Sequence, residues 1–246
     1  MAEQAFARVE KKYLLNEQQF SALTAALSER GFAKQLFGSS TIQSIYYDTD
    51  DYQLIRRSLE RPAYKEKLRL RCYGAPNGNS MAYAEIKKKY GGVVYKRRTG
   101  LPLNQALSAI GMGALPEECG QIGREINWFL KRYSVSPKAM IIYERDAWLN
   151  TATDEARITF DRNIRFRSDC FDMTLPTQGA PLIGDHQILM EIKIEQAWPM
   201  WLNRLIRSLD IRPAHFSKYG TAYREYLSKG KGASYYYDHG EGKKSA

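Results

Sequence analysis

A chain of 246 residues is long enough for one large domain with a substantial core. Lys and Arg outnumber Asp and Glu by 37 to 27, a formal charge of +10, which predicts attraction to polyanions without choosing among nucleotides, polyphosphate, nucleic acid and anionic lipid. The three cysteines, Cys72, Cys119 and Cys170, stand singly, which argues against a disulfide framework or a zinc site and fits a reducing cytoplasm. No window approaches the roughly 20 apolar residues of a membrane helix.

In chain order, a first strand is expected over Arg8 to Leu15, and Asn16 then caps an amphipathic helix from Glu17 to Arg30, with Phe20, Leu23 and Leu27 at helical spacing and Gly31 as the stop. Thr41 to Asp48 reads as a strand ending in the turn-forming DTDD. YKEKLRLRCYG, beginning at Tyr64, reads as a longer strand closed by GAPNGNS. Further strands are expected at Ala82 to Tyr90, Val93 to Leu101, Ala139 to Leu149, Ala156 to Phe166 and Ile188 to Ile194. A helical region from about Asn104 to Tyr133 separates the two halves, and another helix follows Pro199. The segment from Gly230 is Gly-rich and polar, so residues 1–229 are expected to form the folded domain and 230–246 a disordered tail.

Side chains alternate between the faces of a strand, so residues two apart share one face. Lys65, Lys67, Arg69 and Arg71 therefore stand opposite Glu66, Leu68 and Leu70. Glu85, Lys87 and Lys89 oppose Ala84, Ile86 and Lys88, while Glu191, Lys193 and Glu195 oppose Met190, Ile192 and Ile194. Glu10 with Lys12, and Arg157 with Thr159 and Asp161, repeat the pattern, and Lys96, Arg98 and Arg145 extend the basic set. One such strand is explained by a face in water. The repetition, with Glu two residues before Lys in three strands, is not. If the sheet closes with its charged faces inward, its lumen is a basic tunnel that needs a polyanion, with helices packed on the apolar outside.

The carboxylates then have a role, because Mg²⁺ and Mn²⁺ are held by one or two carboxylates together with phosphate oxygens. Glu191 is the first choice of metal ligand, with Glu10 and Glu85 as partners. Arg69 and Arg71 are suited to grip phosphate oxygens bidentately, and the lysines act as point charges.

These residues also carry a family resemblance. EKKYLL, SIYYDTDDYQLIRRSLERPAYKEKLRLRCYG, EIKKKYGGVVYKRR, YERDAW, RITFDRNIR, LMEIKI and FSKYGTAYRE resemble, in order and spacing over residues 6 to 226, the catalytic domain of vacuolar transporter chaperone (VTC) polyphosphate polymerases. That family belongs to the triphosphate tunnel metalloenzymes, with the CYTH-type adenylate cyclases and thiamine triphosphatases. The resemblance implies an α+β fold built on an eight-stranded antiparallel β-barrel. It implies an enzyme that transfers the γ-phosphate of ATP to a growing polyphosphate chain with Mn²⁺ or Mg²⁺. It makes Lys12, Arg69, Arg71, Lys87, Lys96, Arg145, Arg157, Lys193 and Lys218 catalytic phosphate ligands, joined by Lys67 in binding substrate, and Glu191 the metal ligand. Lys218 is selected by the resemblance alone.

Two departures stand out. The wider superfamily opens with Glu-x-Glu-x-Lys, and Arg8 takes the first Glu position, which leaves Glu10 as that strand's metal ligand. The fungal complexes add a phosphate-sensing module and membrane helices, so coupling to translocation is expected to need a membrane or regulatory partner. Two other readings stay open, a hydrolase of tripolyphosphate or nucleoside triphosphate and a polyphosphate binder without turnover. Nucleic acid is not expected as a partner, since a nucleic-acid binder would carry its cations as an exterior patch. His186, His215 and His239 lack paired metal spacing and are given no chemistry.

Overall fold

The computed structural model describes residues 9–35, 40–91, 93–150, 152–153, 156–194 and 197–233. Arg8, Glu195, His239 and most of the expected tail lie outside the described residues. Ten strands form one antiparallel sheet, in the order β1-β10-β8-β7-β3-β4-β5-β6, with β2 paired to β7 and β9 to β8. Eight strands thus lie on the main path, the number the resemblance implies, and with six helices the class is α+β. Among the described residues the path is open, with β1 and β6 as its end strands, rather than closed by hydrogen bonds into a ring.

Contacts divide the chain into two compact units. The first comprises Met1–Thr41, Tyr143–Ile164 and Ile183–Ser217; the second comprises Ile42–Ile142, Arg165–Leu182 and Lys218–Ala246. In the first, β1 (Val9–Leu15), β10 (Ile188–Ile194) and β8 (Arg157–Arg167) lie side by side. Their apolar face, including Tyr13, Met190, Ile192, Ile158 and Phe160, is covered by Leu23 and Leu27 of α1 (Glu17–Glu29) and by Leu202 and Ile206 of α5 (Met200–Ser208). Asn16 caps α1 as expected: its side chain accepts from the Gln19 amide at 2.8 Å, and Gln19 accepts from the Asn16 amide at 3.1 Å. The two-residue β2 (Ala33–Lys34), too short to leave a period in the sequence, pairs with the end of β7 (Ser136–Leu149).

In the second unit β3 (Ser40–Asp48), β4 (Tyr64–Tyr73), β5 (Met81–Tyr90) and β6 (Val93–Pro102) follow one another as hydrogen-bonded neighbours. Leu68, Leu70, Ala84 and Ile86 bury their face against Ala106 and Ile110 of α3 (Leu103–Gly111) and Ile126 and Phe129 of α4 (Gly120–Arg132). The helical region expected from Asn104 to Tyr133 is therefore two helices. Gly113, at φ 79°, and Pro116 break it, and the Asn127 side chain holds the break by bonding both the amide and the carbonyl of Leu115. The short β9 (Ala180–Pro181) pairs with the end of β8.

The DTDDYQ segment is a turn, as expected, but it also launches a helix that periodicity does not reveal, α2 (Gln53–Leu59). The reason is Asp48, which is fully buried. Its carboxylate accepts the amides of Thr49, Leu54 and Ile55, each at 2.9 Å, and the hydroxyl of Tyr219 at 3.0 Å, on α6 (Lys218–Glu225). No helix among the described residues is long and apolar enough to cross a membrane. Asp48→Ala would leave the buried donors of Leu54, Ile55 and Tyr219 unpaired. It is expected to cost about 3 kcal/mol or more in denaturant unfolding, whereas a loss under about 1 kcal/mol would remove Asp48 from this role.

Candidate functional site

Strand register assembles the charged faces row by row. In the second unit one row runs Tyr46, Arg69, Glu85, Arg98 across β3, β4, β5 and β6, and the next runs Lys67, Lys87, Lys96. The Glu85 side chain is only 2 % exposed and is held from both sides. Its Oε2 accepts Arg69 Nε at 2.7 Å and lies 2.6 Å from Nη2, and Lys96 Nζ is 3.3 Å from Oε1. Arg69 Nη1 also donates to the Tyr46 hydroxyl at 3.0 Å, and buried Arg71 donates to Ser44 Oγ at 3.1 Å. These bonds fix both guanidinium groups before any ligand arrives. Lys65, on the same face by alternation, is instead drawn to the end of α2, where it donates to the Ser58 carbonyl at 2.9 Å.

The protonation states record the density of positive charge. Burial pushes the Glu85 carboxyl up, but the charges of Arg69, Arg71 and Lys96 outweigh it and hold the group at about 2. Burial likewise raises Tyr46, yet Arg69, Arg71 and Lys67 bring its phenol down to about 7. Lys96 falls to about 8 through desolvation and the repulsion of Arg69 and Arg71, with Glu85 pulling the other way. Lys218 opens α6, and the next residue anchors that helix: the Tyr219 ring stacks on Tyr46 with centroids 4.9 Å apart while its hydroxyl bonds Asp48.

The first unit carries its own set. Rows run Glu10, Lys193, Arg157 and Lys12, Glu191, Thr159 across β1, β10 and β8. Glu191 is 8 % exposed; Lys193 Nζ is 3.2 Å from its Oε1 and Arg145 Nη2 is 3.7 Å from its Oε2. Arg145, on β7, is locked by two bonds to the fully buried Asp161, at 2.6 and 2.7 Å. Lys12 lies 3.4 Å from Glu10 and donates to the Phe216 carbonyl at 3.2 Å. Burial raises the Glu191 carboxyl, but Lys193, Lys12, a hydrogen bond with Glu10 and Arg145 hold it far below the carboxylate range. Burial lowers Arg145, and Tyr143, Asp161 and Glu191 more than reverse this. Arg157 is exposed beside Lys193.

The expected residues thus gather as Lys12, Arg145, Arg157, Lys193, Glu10 and Glu191 in one unit, and as Lys67, Arg69, Arg71, Lys87, Lys96, Lys218 and Glu85 in the other. For a divalent metal the fitting donors are Glu191 and Glu10, whose carboxyl groups come within hydrogen-bonding reach of each other. Among the described residues no three His, Cys, Asp or Glu side chains converge, so phosphate oxygens would have to complete the coordination, the usual arrangement for Mg²⁺ and Mn²⁺. Glu85 presents both oxygens to cations instead. His186 and His215 are exposed. Sequence reasoning missed the positioning residues Asp161, Asp48, Tyr46 and Tyr219. Asp161 was visible as the third member of the Arg157, Thr159, Asp161 face, while its bond to Arg145 depends on side-chain geometry that no spacing encodes.

With this geometry in hand, comparison with known proteins decides the family, because the model of the VTC domain matches residues 7–226. The chain belongs to the VTC domain family. No curated protein matches it. Among solved structures, this VTC domain is similar to putative adenylate cyclases from Bacillus halodurans (13% identity, 85% of this chain and 93% of that one, TM-score 0.51) and Vibrio parahaemolyticus (15% identity, 87% and 96%, TM-score 0.48). It is also similar to a protein from Pyrococcus horikoshii OT3 (11% identity, 89% and 99%, TM-score 0.48). At such identity the Bacillus halodurans structure speaks for the fold alone.

Because Glu85 is held at about 2 in the folded VTC domain against an ordinary value of 4.5, its contribution to stability is present above about 4.5 and is lost as pH falls toward 2. Glu85→Gln is expected to lower stability at pH 7 and to flatten the fall between pH 4.5 and 2 in urea titrations. An unchanged acid limb in the variant would mean that Glu85 does not carry this charge balance.

Proposed function

We propose that this VTC domain is an ATP-dependent polyphosphate polymerase, transferring the γ-phosphoryl group of ATP to the terminal oxygen of a polyphosphate chain and releasing ADP. The observation that carries the reading is the VTC match over residues 7–226, on strands whose cations and carboxylates share one face. In the second unit Arg69, Arg71, Lys67, Lys87, Lys96 and Lys218 bind phosphate oxygens, with Glu85 as the counter-charge of Arg69 and Lys96. In the first, Lys12, Arg145, Arg157 and Lys193 do so, with Arg145 held in place by Asp161.

Glu191 and Glu10 would hold Mn²⁺ or Mg²⁺, which would supply charge neutralisation to the phosphate oxygens. The attacking terminal phosphate is already ionised, so no general base is required. Positioning and stabilisation of charge by the fixed guanidinium groups and the lysines carry the step. Residues 1–229 constitute the catalytic domain, acting in the cytoplasm, and a membrane or regulatory partner supplies any translocation.

The test is incubation of the full chain with γ-labelled ATP and Mn²⁺, with products resolved by gel. A ladder of long chains is expected, reduced at least ~100-fold in Glu191→Gln. Orthophosphate alone would replace the polymerase with a hydrolase. Cyclic AMP with pyrophosphate would point to the activity named for the Bacillus halodurans protein, and intact ATP to a binder.

A further inference from the structure

On the charged face of the first unit an uncharged hydroxyl stands among the ions. Thr159 is 1 % exposed, and its Oγ1 is buried with no hydrogen-bond partner among the described residues. Its place is fixed by register. Thr159 lies directly opposite Glu191 in the β8–β10 ladder, and Glu191 lies opposite Lys12 in the β10–β1 ladder. Its neighbours two residues away along β8 are Arg157, which faces Lys193 across the ladder, and Asp161, which grips Arg145. The flanking Ile158 and Phe160 point the other way, into the apolar core.

The chemistry of this position is unusual for a buried threonine. Valine has the same shape and the same preference for strands, and it brings no hydroxyl to satisfy. The carboxylate opposite does not serve the hydroxyl, since Glu191 is turned to Lys193 and Arg145. A buried hydroxyl left unbonded is costly, and an acceptor bound there would relieve that cost. Lys12, Lys193, Arg157 and Arg145 outnumber the carboxylates Glu10, Glu191 and Asp161 around this position, and the partner that a net positive face concentrates is an anion rich in acceptor oxygens.

We propose that the Thr159 hydroxyl donates a hydrogen bond to an oxygen of the phosphate chain bound at this face, beside Glu191. The inference rests on the phosphate-binding reading above and adds a ligand to it. A neutral donor has a use here that another cation would not. It contacts phosphate without adding to the repulsion among Lys12, Lys193 and Arg157, and without drawing Glu191 away from a metal.

The experiment is calorimetric titration of the full chain with sodium tripolyphosphate at low salt in EDTA, so that neither turnover nor bound metal enters the readout. Thr159→Val is expected to bind about ten-fold more weakly than wild type, with Thr159→Ser within about two-fold of wild type, while unliganded Thr159→Val melts at or above wild type, since it removes an unbonded buried hydroxyl, and Thr159→Ser melts somewhat below it, since it loses a buried methyl. Should Val distort β8 and lower the melting temperature, Thr159→Ala must show the same loss of affinity. Equal affinity of wild type and the hydroxyl-free variants overturns the inference and leaves the phosphate reading intact. So does a Ser variant as weak as Val, because the hydroxyl would then not be the contact. Absence of tripolyphosphate binding by wild type overturns the phosphate reading itself, and the inference with it.

Discussion

The interaction on which the rest depends is the pairing of buried carboxylates with cations crowded on one face of each strand. Strand alternation delivers that crowding unavoidably, since a face that repeats Lys or Arg every second residue meets another such face across each ladder. Two cations about 8 Å apart repel by about 2 kcal/mol at an effective dielectric of 20. A row such as Lys67, Lys87, Lys96 therefore cannot be buried without relief. The structure relieves it in two ways. Lys87 is exposed to solvent, and Lys96 and the more deeply placed Arg69 are met by Glu85. In the first unit Glu191 and Asp161 do the same for Lys193 and Arg145.

The division of labour between arginine and lysine follows. Arg69, Arg71 and Arg145 each have a fixed partner, in Glu85 with Tyr46, in Ser44, and in Asp161. Their forks are oriented before a ligand binds, which lowers the entropic cost of binding phosphate. Glu191 is held ionised by Lys193 and Lys12, and under the proposed function it would be the carboxylate offered to a metal. The apolar faces that back these strands, against α1 and α5 in one unit and α3 and α4 in the other, provide the rigid support that such preorganisation requires.

Much of this was legible because the period of a strand is unambiguous where charge and apolar residues alternate. The faces of β4, β5 and β10 follow directly from YKEKLRLR, AEIKK and LMEIKI, whereas the rows they form depend on the register between strands. The Asn16 cap and the end of α1 near Gly31 follow from local chemistry. What the sequence concealed depends on long-range partners. Asp48 organises α2 and receives Tyr219 from 171 residues away, so DTDDYQ alone reads only as a turn. Asp161 and Tyr46 act through single hydrogen bonds to arginines on other strands. Lys65 shares a face with Arg69, yet its length lets it reach the carbonyl of Ser58, a choice that alternation cannot foresee.

The central claim is that the charged faces are built for a bound chain of phosphates, and thermal denaturation of the full chain tests it most directly. Tripolyphosphate should raise the melting temperature with a logarithmic dependence on concentration, by the equivalent of about 2.7 kcal/mol at a hundred times its dissociation constant. The rise should shrink as sodium chloride is added. A shift no larger than that given by chloride at the same ionic strength would contradict the account.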